Sequence, residues 1–201
     1  PSHRNYRQIR DLWDSVAPLM TEDGTLPGLN DAGAEKPGRS IGPQFDVAAY
    51  AYGDPKFLRW ATGRNLFFPV EQSKIEEARE REKLRPSSVA DNAGVAMLRS
   101  QGVDSPREQY QALLSYGSHG AHHGHWDRLN LVYLRRFGKL ATHTRTAWSS
   151  YGTPLYQMYY QTSLAHSMVV VDSKNQYPSE SDRLLFHSGA LFQAAGVENE
   201  T

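Results

Sequence analysis

The sequence predicts a multidomain fold of the α+β class, with a helical N-terminal part and a β-rich C-terminal part. Three features lead to this prediction: helical spacing of apolar residues near the start, a densely charged stretch at 71–85, and two-residue alternation after it. Helices followed by strands, without alternation of the two, are typical of two architectures in series. The expected boundaries are 1–70 for the helices, 71–86 for a charged linker and 87–201 for the β-rich part.

The helical elements are predicted from their apolar spacing and from end signals. Ile9 and Trp13 belong to a one-sided apolar stripe that indicates the first helix. Residues 21–43 contain five glycines and three prolines and predict a long loop. Two short helices follow, the second with Asp54 as its N-cap and Pro55 as its first residue. The charged stretch after them indicates a solvated helix or a linker.

The β-rich part is predicted from short runs of β-branched and aromatic residues that are separated by Gly, Pro, Asn and Ser. These runs cover residues 94–100, 109–117, 128–136, 167–173 and 182–188. We found no internal repeat that would indicate a repetitive architecture.

Composition excludes several classes of protein. The 22 Lys and Arg balance the 22 Asp and Glu, so no global charge favours nucleic acid or anionic lipid. The absence of cysteine excludes thiolate metal sites, Cys nucleophiles and disulfides. No run approaches the roughly 20 apolar residues of a membrane span, and the N-terminus has no apolar signal core.

Histidine is the residue type that departs from a random distribution. Six of the eight histidines lie within 48 residues. In an extended segment His123 and His125 would point to the same face, and Gly124 would leave room for a ligand. Two adjacent imidazoles indicate a metal site, a catalytic base beside a metal, or an anion site. Because strand ends converge, we expect His125 to meet His143 and His166.

A local basic zone accompanies these histidines. Residues 128–171 contain no Asp or Glu, but they include several Arg and Lys residues and many tyrosines. Cationic groups beside aromatic rings suit a polyanion whose units have apolar faces. An acidic polysaccharide and a nucleic acid both meet that description.

Two segments resemble a known family. SYGSHGAHHGHWDRLNLVYL and YGTPLYQMYYQTSLAHSMVVVDSKNQ are similar to the heparinase II/III-like polysaccharide lyases, and among them most to the alginate lyases. The resemblance implies the end of an N-terminal (α/α) toroid followed by the first part of an antiparallel β-sandwich. It also implies that the chain is a fragment across this junction, from a secreted or periplasmic protein, and that catalytic residues of the toroid are absent.

The resemblance assigns roles to individual positions. It makes His123 the catalytic histidine of the sandwich side. The substrate-binding positions are His119, Tyr160 and Gln161, and Arg145 in the basic zone is expected to join them. The metal ligands are His125, His143 and His166. The sequence departs from the family pattern in three places, with His143 for an Asp ligand, Ser167 for an Asn and Gln161 for an Arg.

The implied activity is β-elimination in an acidic uronate polymer, with alginate as the first expected substrate and a heparin-like glycosaminoglycan as the second. The implied cofactor is a divalent metal, zinc first and manganese second, since zinc fits three imidazoles and a water. Two alternatives stay open at this point. One is a metal-dependent hydrolase or oxygenase that uses the same histidines, and the other is a noncatalytic carbohydrate-binding fragment.

Overall fold

The computed structural model describes residues 3–22, 24–30, 41–81, 83–119, 123–140 and 151–199. The chain separates into two units. The helical unit comprises Pro1–Leu26 and Pro37–Leu84, and the β unit comprises Pro27–Lys36 and Arg85–Thr201. None of the described helices is both long and apolar enough to cross a membrane.

Within the described residues, the helical unit contains four α-helices and a short 3₁₀ turn after the first. They are α1 (His3–Val16), α2 (Gly42–Tyr52), α3 (Pro55–Leu58) and α4 (Gln72–Glu80). Their shared core is aromatic and aliphatic, and its largest buried side chains are Met20, Phe45, Phe57, Trp60 and Ile75. The predicted start of α3 is confirmed: the Asp54 carboxylate accepts a hydrogen bond from the Lys56 amide, and Pro55 occupies the first turn.

A buried carboxylate organises the loop after α3. Asp46, on α2, is fully buried and accepts hydrogen bonds from four consecutive backbone amides, those of residues 62–65. Burial alone would raise the pKa of Asp46, but the hydrogen bonds from Gly63, Thr62 and Asn65 outweigh it and lower the pKa below its usual value. The carboxylate therefore serves as the structural centre of this loop.

The β unit contains a five-stranded antiparallel sheet and a separate hairpin. The sheet has the order β1 (Ser88–Ala90), β2 (Val95–Arg99), β3 (Gln111–Ser115), β4 (Asn130–Arg136) and β5 (Lys139–Leu140). The hairpin consists of β6 (Ser181–Ser188) and β7 (Gln193–Asn199). The mixed architecture of helices and antiparallel sheet is confirmed, whereas the toroid and sandwich assignments stay predictions.

One predicted strand is wrong. Residues 167–173 form bends and a turn in place of a strand. Asp172 and Ser173 both have a φ of 54°, which ends any extended run. Near its start the segment is held beside β4, because the Ser167 amide donates to the Asn130 side chain and the Leu131 amide donates to the Ser167 carbonyl.

The hairpin is pinned to the start of the sheet by polar contacts. Arg183 on β6 donates two hydrogen bonds of 2.7 Å to Asp91, and the Tyr116 hydroxyl donates a third of 2.5 Å. Hydrogen bonds from Arg183 and then Tyr116 lower the pKa of Asp91 to about 2. Tyr116 directly follows β3, so the same network fixes the point at which the chain leaves the sheet for its histidine-rich loop.

Candidate functional site

The histidine-rich loop between β3 and β4 is folded around a buried arginine. One Nη atom of Arg128 donates to the carbonyls of Gly117 and Ser118, and the other donates to the carbonyl of His125 at 3.3 Å. The guanidinium therefore ties the first residues of the loop to its last turn. The backbone of Arg128 is also held, because the side-chain amide of Gln176 donates a hydrogen bond to the Arg128 carbonyl at 3.1 Å.

Gly124 allows the loop to fold back on itself. A Cβ atom at this position would lie 1.6 Å from the carbonyl oxygen of His119. The expectation that Gly124 makes room for a ligand is therefore wrong, because His119 occupies that space. His119 is half-buried, and burial together with the nearby Arg128 charge lowers the pKa of its imidazole.

His125, Asp127 and His166 form a compact cluster. Their nitrogen and oxygen atoms can all lie within 4.8 Å of one another. His125 Nδ1 is 3.1 Å from His166 Nε2, which is in turn 3.7 Å from Asp127 Oδ2. His125 is 1% exposed and Asp127 is 4% exposed, so the cluster lies inside the protein.

The orientation of His166 is set by the backbone. Its Nδ1 lies 2.8 Å from the carbonyl oxygen of Thr162, a group that can only accept, so Nδ1 carries the proton. Nε2 then has a lone pair directed at the other members of the cluster. Burial lowers the pKa of His166, although the Asp127 charge opposes the effect.

Asp127 is a member of this cluster that sequence reasoning missed. Its Oδ1 accepts from Arg128 at 2.8 Å, and its Oδ2 accepts from the Asn130 amide at 3.3 Å. The available signal was its position two residues after His125, which is a spacing that brings ligands together in many metal sites.

The cluster has a donor set that zinc binds in proteins, namely two imidazoles and one carboxylate. Ligand atoms at about 2.1 Å from a tetrahedral zinc ion stand roughly 3.4 Å apart. The separations of 3.1 Å and 3.7 Å in the cluster lie on either side of that value. The protonated Nδ1 of His166 also matches the backbone hydrogen bond that commonly orients a metal-binding histidine.

An exposed pair lies beside the buried cluster. Tyr151 Oη and His123 Nδ1 are 3.3 Å apart, and both side chains are exposed. The Tyr151 ring also contacts Tyr156 edge-on at 5.3 Å, and Tyr156 contacts His125 at 6.2 Å. The pair is thus connected to the cluster by a continuous row of rings. Sequence reasoning did not identify Tyr151 as a partner of His123, because 28 positions separate them.

The remaining predicted residues have different placements. Tyr160 ends a short π-helical turn, Tyr156–Tyr160, and its ring contacts that of Tyr159. The Gln161 carbonyl accepts from the Trp126 amide, so Gln161 borders the histidine-rich loop. His143 and Arg145 lie outside the described residues, and their predicted roles stay predictions.

Comparison with known proteins identifies the fold. No protein-family model matches the sequence, and no curated protein matches it either. Among solved structures, the heparinase III BT4657 gene product is similar with a TM-score of 0.72 and 16% identity, over 98% of this chain and 29% of that one. A heparan sulfate lyase HepC mutant from Pedobacter heparinus is similar with a TM-score of 0.66 and 18% identity, over 98% and 29%.

These similarities concern the fold and only a part of each neighbour. A further heparinase III structure has a TM-score of 0.66 and 17% identity, over 94% of this chain and 29% of that one. The chain therefore spans less than a third of the length of the solved structures it matches. At this level of identity, the shared feature is the fold.

Proposed function

We propose that the chain is part of a polysaccharide lyase that cleaves an acidic, uronate-containing polymer by β-elimination. The observation that carries this proposal is the exposed pair of His123 and Tyr151 beside a buried cluster of metal-binding character. An imidazole and a phenol in contact can move protons to and from a bound substrate. The fold shared with solved heparinases and a heparan sulfate lyase supports the same reaction class.

The reaction requires one proton to be removed and one to be delivered. A base takes the proton from C5 of the uronate, the C4–O4 bond breaks, and a C4=C5 double bond forms as the departing O4 is protonated. His123 would act as the base, because a neutral imidazole can accept a proton from a bound substrate. The Tyr151 hydroxyl is close enough to serve as its proton-transfer partner.

The C5 proton becomes acidic only when the uronate carboxylate is neutralised by nearby donors. His119, Tyr160, Gln161 and Arg145 are the proposed substrate-binding residues. His119 belongs to the histidine-rich loop, and Gln161 borders it.

A divalent metal, zinc first and manganese second, would be held by His125, Asp127 and His166, with His143 as a further proposed ligand. When bound, it would supply positive charge and fix the loop that presents His123. Asp127 and Arg128 form a buried ion pair at 2.8 Å, so the cluster already has an ordered framework. We propose a structural role because the described ligands are buried in the protein interior.

The proposed substrate class is an acidic polysaccharide, with a heparan-sulfate-like glycosaminoglycan and alginate as the two candidates. The names of the structural neighbours favour the glycosaminoglycan. The basic zone at 128–171 is compatible with either polymer. Acidic polysaccharides of these two kinds are found outside the cytoplasm, so a secreted or periplasmic location is part of the proposal.

A second candidate is a metal-dependent hydrolase or oxygenase. The observation that favours it is the set of two histidines and one carboxylate, which non-haem iron oxygenases also use. Such enzymes need an open coordination position, and the burial of His125 and Asp127 argues against one. A noncatalytic carbohydrate-binding role is the third candidate.

The test measures the ultraviolet absorbance of unsaturated uronate with heparan sulfate, heparin and alginate as separate substrates. It uses the longest polypeptide that contains this chain, because the chain covers 29% of its structural neighbours. We expect His123→Ala to lower the rate by about 10²–10⁴-fold and Tyr151→Phe to lower it by a smaller factor. His187→Ala is the matched control, since His187 is exposed on β6 and stacks on Phe192.

Three results separate the candidates. Cleavage of these polymers without a new double bond would favour the hydrolase. Cleavage that is unaffected by His123→Ala would remove that residue from the mechanism. Binding of a polymer that is never cleaved would leave the noncatalytic role.

A further inference from the structure

A partly exposed cluster at the far end of β4 is not explained by the proposed catalytic site. It consists of Tyr110, Arg136 and Phe137, and we call it the Arg136 patch. The guanidinium carbon of Arg136 lies 4.3 Å from the centre of the Tyr110 ring and 4.5 Å from that of Phe137. Arg136 also donates to the Glu108 carbonyl and to the Tyr110 hydroxyl, each at 3.0 Å. The three side chains are therefore held in one arrangement.

Phe137 occupies a backbone conformation that suits a different residue. It forms a two-residue turn between β4 and β5 with Gly138, and the two residues have φ values of 52° and 74°. Turns with positive φ at both positions favour Asn or Gly at the first, and a bulky residue is strained there. The Phe137 amide is held by the Arg107 carbonyl at 3.0 Å.

The backbone strain at Phe137 is not offset by burial of its side chain. Phe137 is 47% exposed and Tyr110 is 51% exposed, so both rings keep much of their surface in water. Among the described residues, Arg136 forms no ion pair with an Asp or Glu. A strained residue that presents an exposed ring beside an arginine without a carboxylate partner is a feature that suggests binding.

We propose that the Arg136 patch binds a sugar unit of an acidic polysaccharide, as a site separate from the one that contains His123. The aromatic rings would contact the C–H face of a pyranose ring, and the guanidinium would pair with a carboxylate or sulfate of the sugar. The choice of ligand rests on the function proposed above.

The position of the Arg136 patch indicates how it would assist the binding of a polymer. Asn130, which contacts the metal-binding cluster through Asp127, begins β4, and Arg136 ends it. Six residue steps at about 3.3 Å place the two ends of the strand roughly 20 Å apart. A short oligosaccharide can therefore bind at one of the two sites without contacting the other. A long chain bound at the patch is kept at a high local concentration near the catalytic residues.

The test measures the dissociation constants of heparan sulfate and alginate chains for the full chain, in a His123→Ala background that is not expected to cleave them. We expect Arg136→Ala, Tyr110→Ala and Phe137→Gly each to weaken binding of one of these polymers by about tenfold, which is about the effect of one hydrogen bond to a charged group for Arg136 and of one aromatic contact for each ring. Phe137→Gly should also raise Tm, because it relieves the strained turn. Phe137→Asn is a second variant of this kind. It also removes the aromatic ring and places at this position a residue that suits the positive φ.

Two variants and one polymer serve as controls. Tyr177→Ala removes an exposed tyrosine, and Arg81→Ala removes an equal charge from the residue that follows α4. Dextran tests whether a neutral polymer binds. The proposal is overturned if the patch variants bind like the parent, if Arg81→Ala weakens binding equally, or if the parent binds neither acidic polymer. Polymer binding that depends on the patch, in a protein that produces no unsaturated uronate, would refute the proposed lyase and keep the patch.

Discussion

Asp46 in the helical unit and Asp127 in the β unit are both buried carboxylates, but their partners differ in kind. Asp46 accepts from the four amides of residues 62–65 and from the Thr62 hydroxyl, all of which belong to one short segment. Asp127 accepts from Arg128 and Asn130 and lies 3.7 Å from the imidazole of His166. Burial of an acid therefore does not by itself indicate a functional site. The identity of the groups around the carboxylate distinguishes a carboxylate that supports a loop from one that belongs to a proposed metal site.

The largest effect on stability is expected for Asp46→Ala. The substitution leaves four buried backbone N–H groups without an acceptor, and partial relaxation should limit the loss of unfolding free energy to about 3–4 kcal/mol. Urea denaturation measures this change, and Asp11→Ala on the exposed side of α1 is the control. Zinc affinity should be unchanged by Asp46→Ala. A lower zinc affinity would contradict the purely structural role of Asp46.

Asp127→Asn tests the proposed metal-binding role of the buried carboxylate in the β unit. The amide keeps the size of the carboxylate but removes its charge, so we expect zinc affinity to fall by about 10–100-fold. Isothermal titration with zinc measures the affinity, and Asp182→Asn on β6 is the control because Asp182 is exposed. Equal zinc affinity in the two variants would remove Asp127 from the proposed metal site.

Gly124→Ala tests whether the shape of the histidine-rich loop is essential. The new methyl group would meet the His119 carbonyl, so the loop must shift, at a cost of about 2 kcal/mol in unfolding free energy. Gly152→Ala is a matched control, since nothing lies within 4 Å of a Cβ at that position. Thermal unfolding compares the two variants. Equal stability would show that the close contact between Gly124 and His119 is not required.

The smallest effect is expected for Asp91, an acid that is 53% exposed. Its pKa in the folded protein is lowered to about 2, so its contribution to stability is complete above the unfolded value of about 3.9 and is lost as the pH falls toward 2. Asp91→Asn should reduce Tm slightly at pH 7 and have less effect at pH 2, as is typical of exposed ion pairs. A constant difference in Tm across this pH range would show that the carboxylate charge contributes nothing.

Local patterns in the sequence predicted part of the local structure correctly. The N-cap at Asp54 and the strands around residues 95–99, 111–115 and 130–136 follow from spacing and residue type. The run 167–173 was misread because its valines favour a strand. The tertiary hydrogen bonds of Ser167, which donates to the Asn130 side chain and accepts from the Leu131 amide, and the left-handed conformation of Asp172 prevail over that preference.

The site was only partly predictable, because its members come from distant parts of the chain. The sequence indicated that His125 and His166 lie close together, and the structure places them 3.1 Å apart. The contact between Tyr151 and His123 joins residues 28 positions apart, which no local pattern encodes. The role of Gly124 was also hidden, since the backbone that fills its space belongs to His119.

The order of strands in the sheet has a consequence for folding kinetics. Strands β1 to β5 pair with their neighbours in the chain, so each pairing closes a short loop. The histidine cluster instead requires contacts between residues 41 positions apart, and the Gln176 contact with Arg128 spans 48 positions. The sheet should therefore form first and the loop last. In pulse-labelled hydrogen exchange, amides of β2 and β3 should gain protection before the Trp126 amide that bonds to Gln161. A metal bound by the late-forming loop should then slow unfolding and leave the folding rate unchanged.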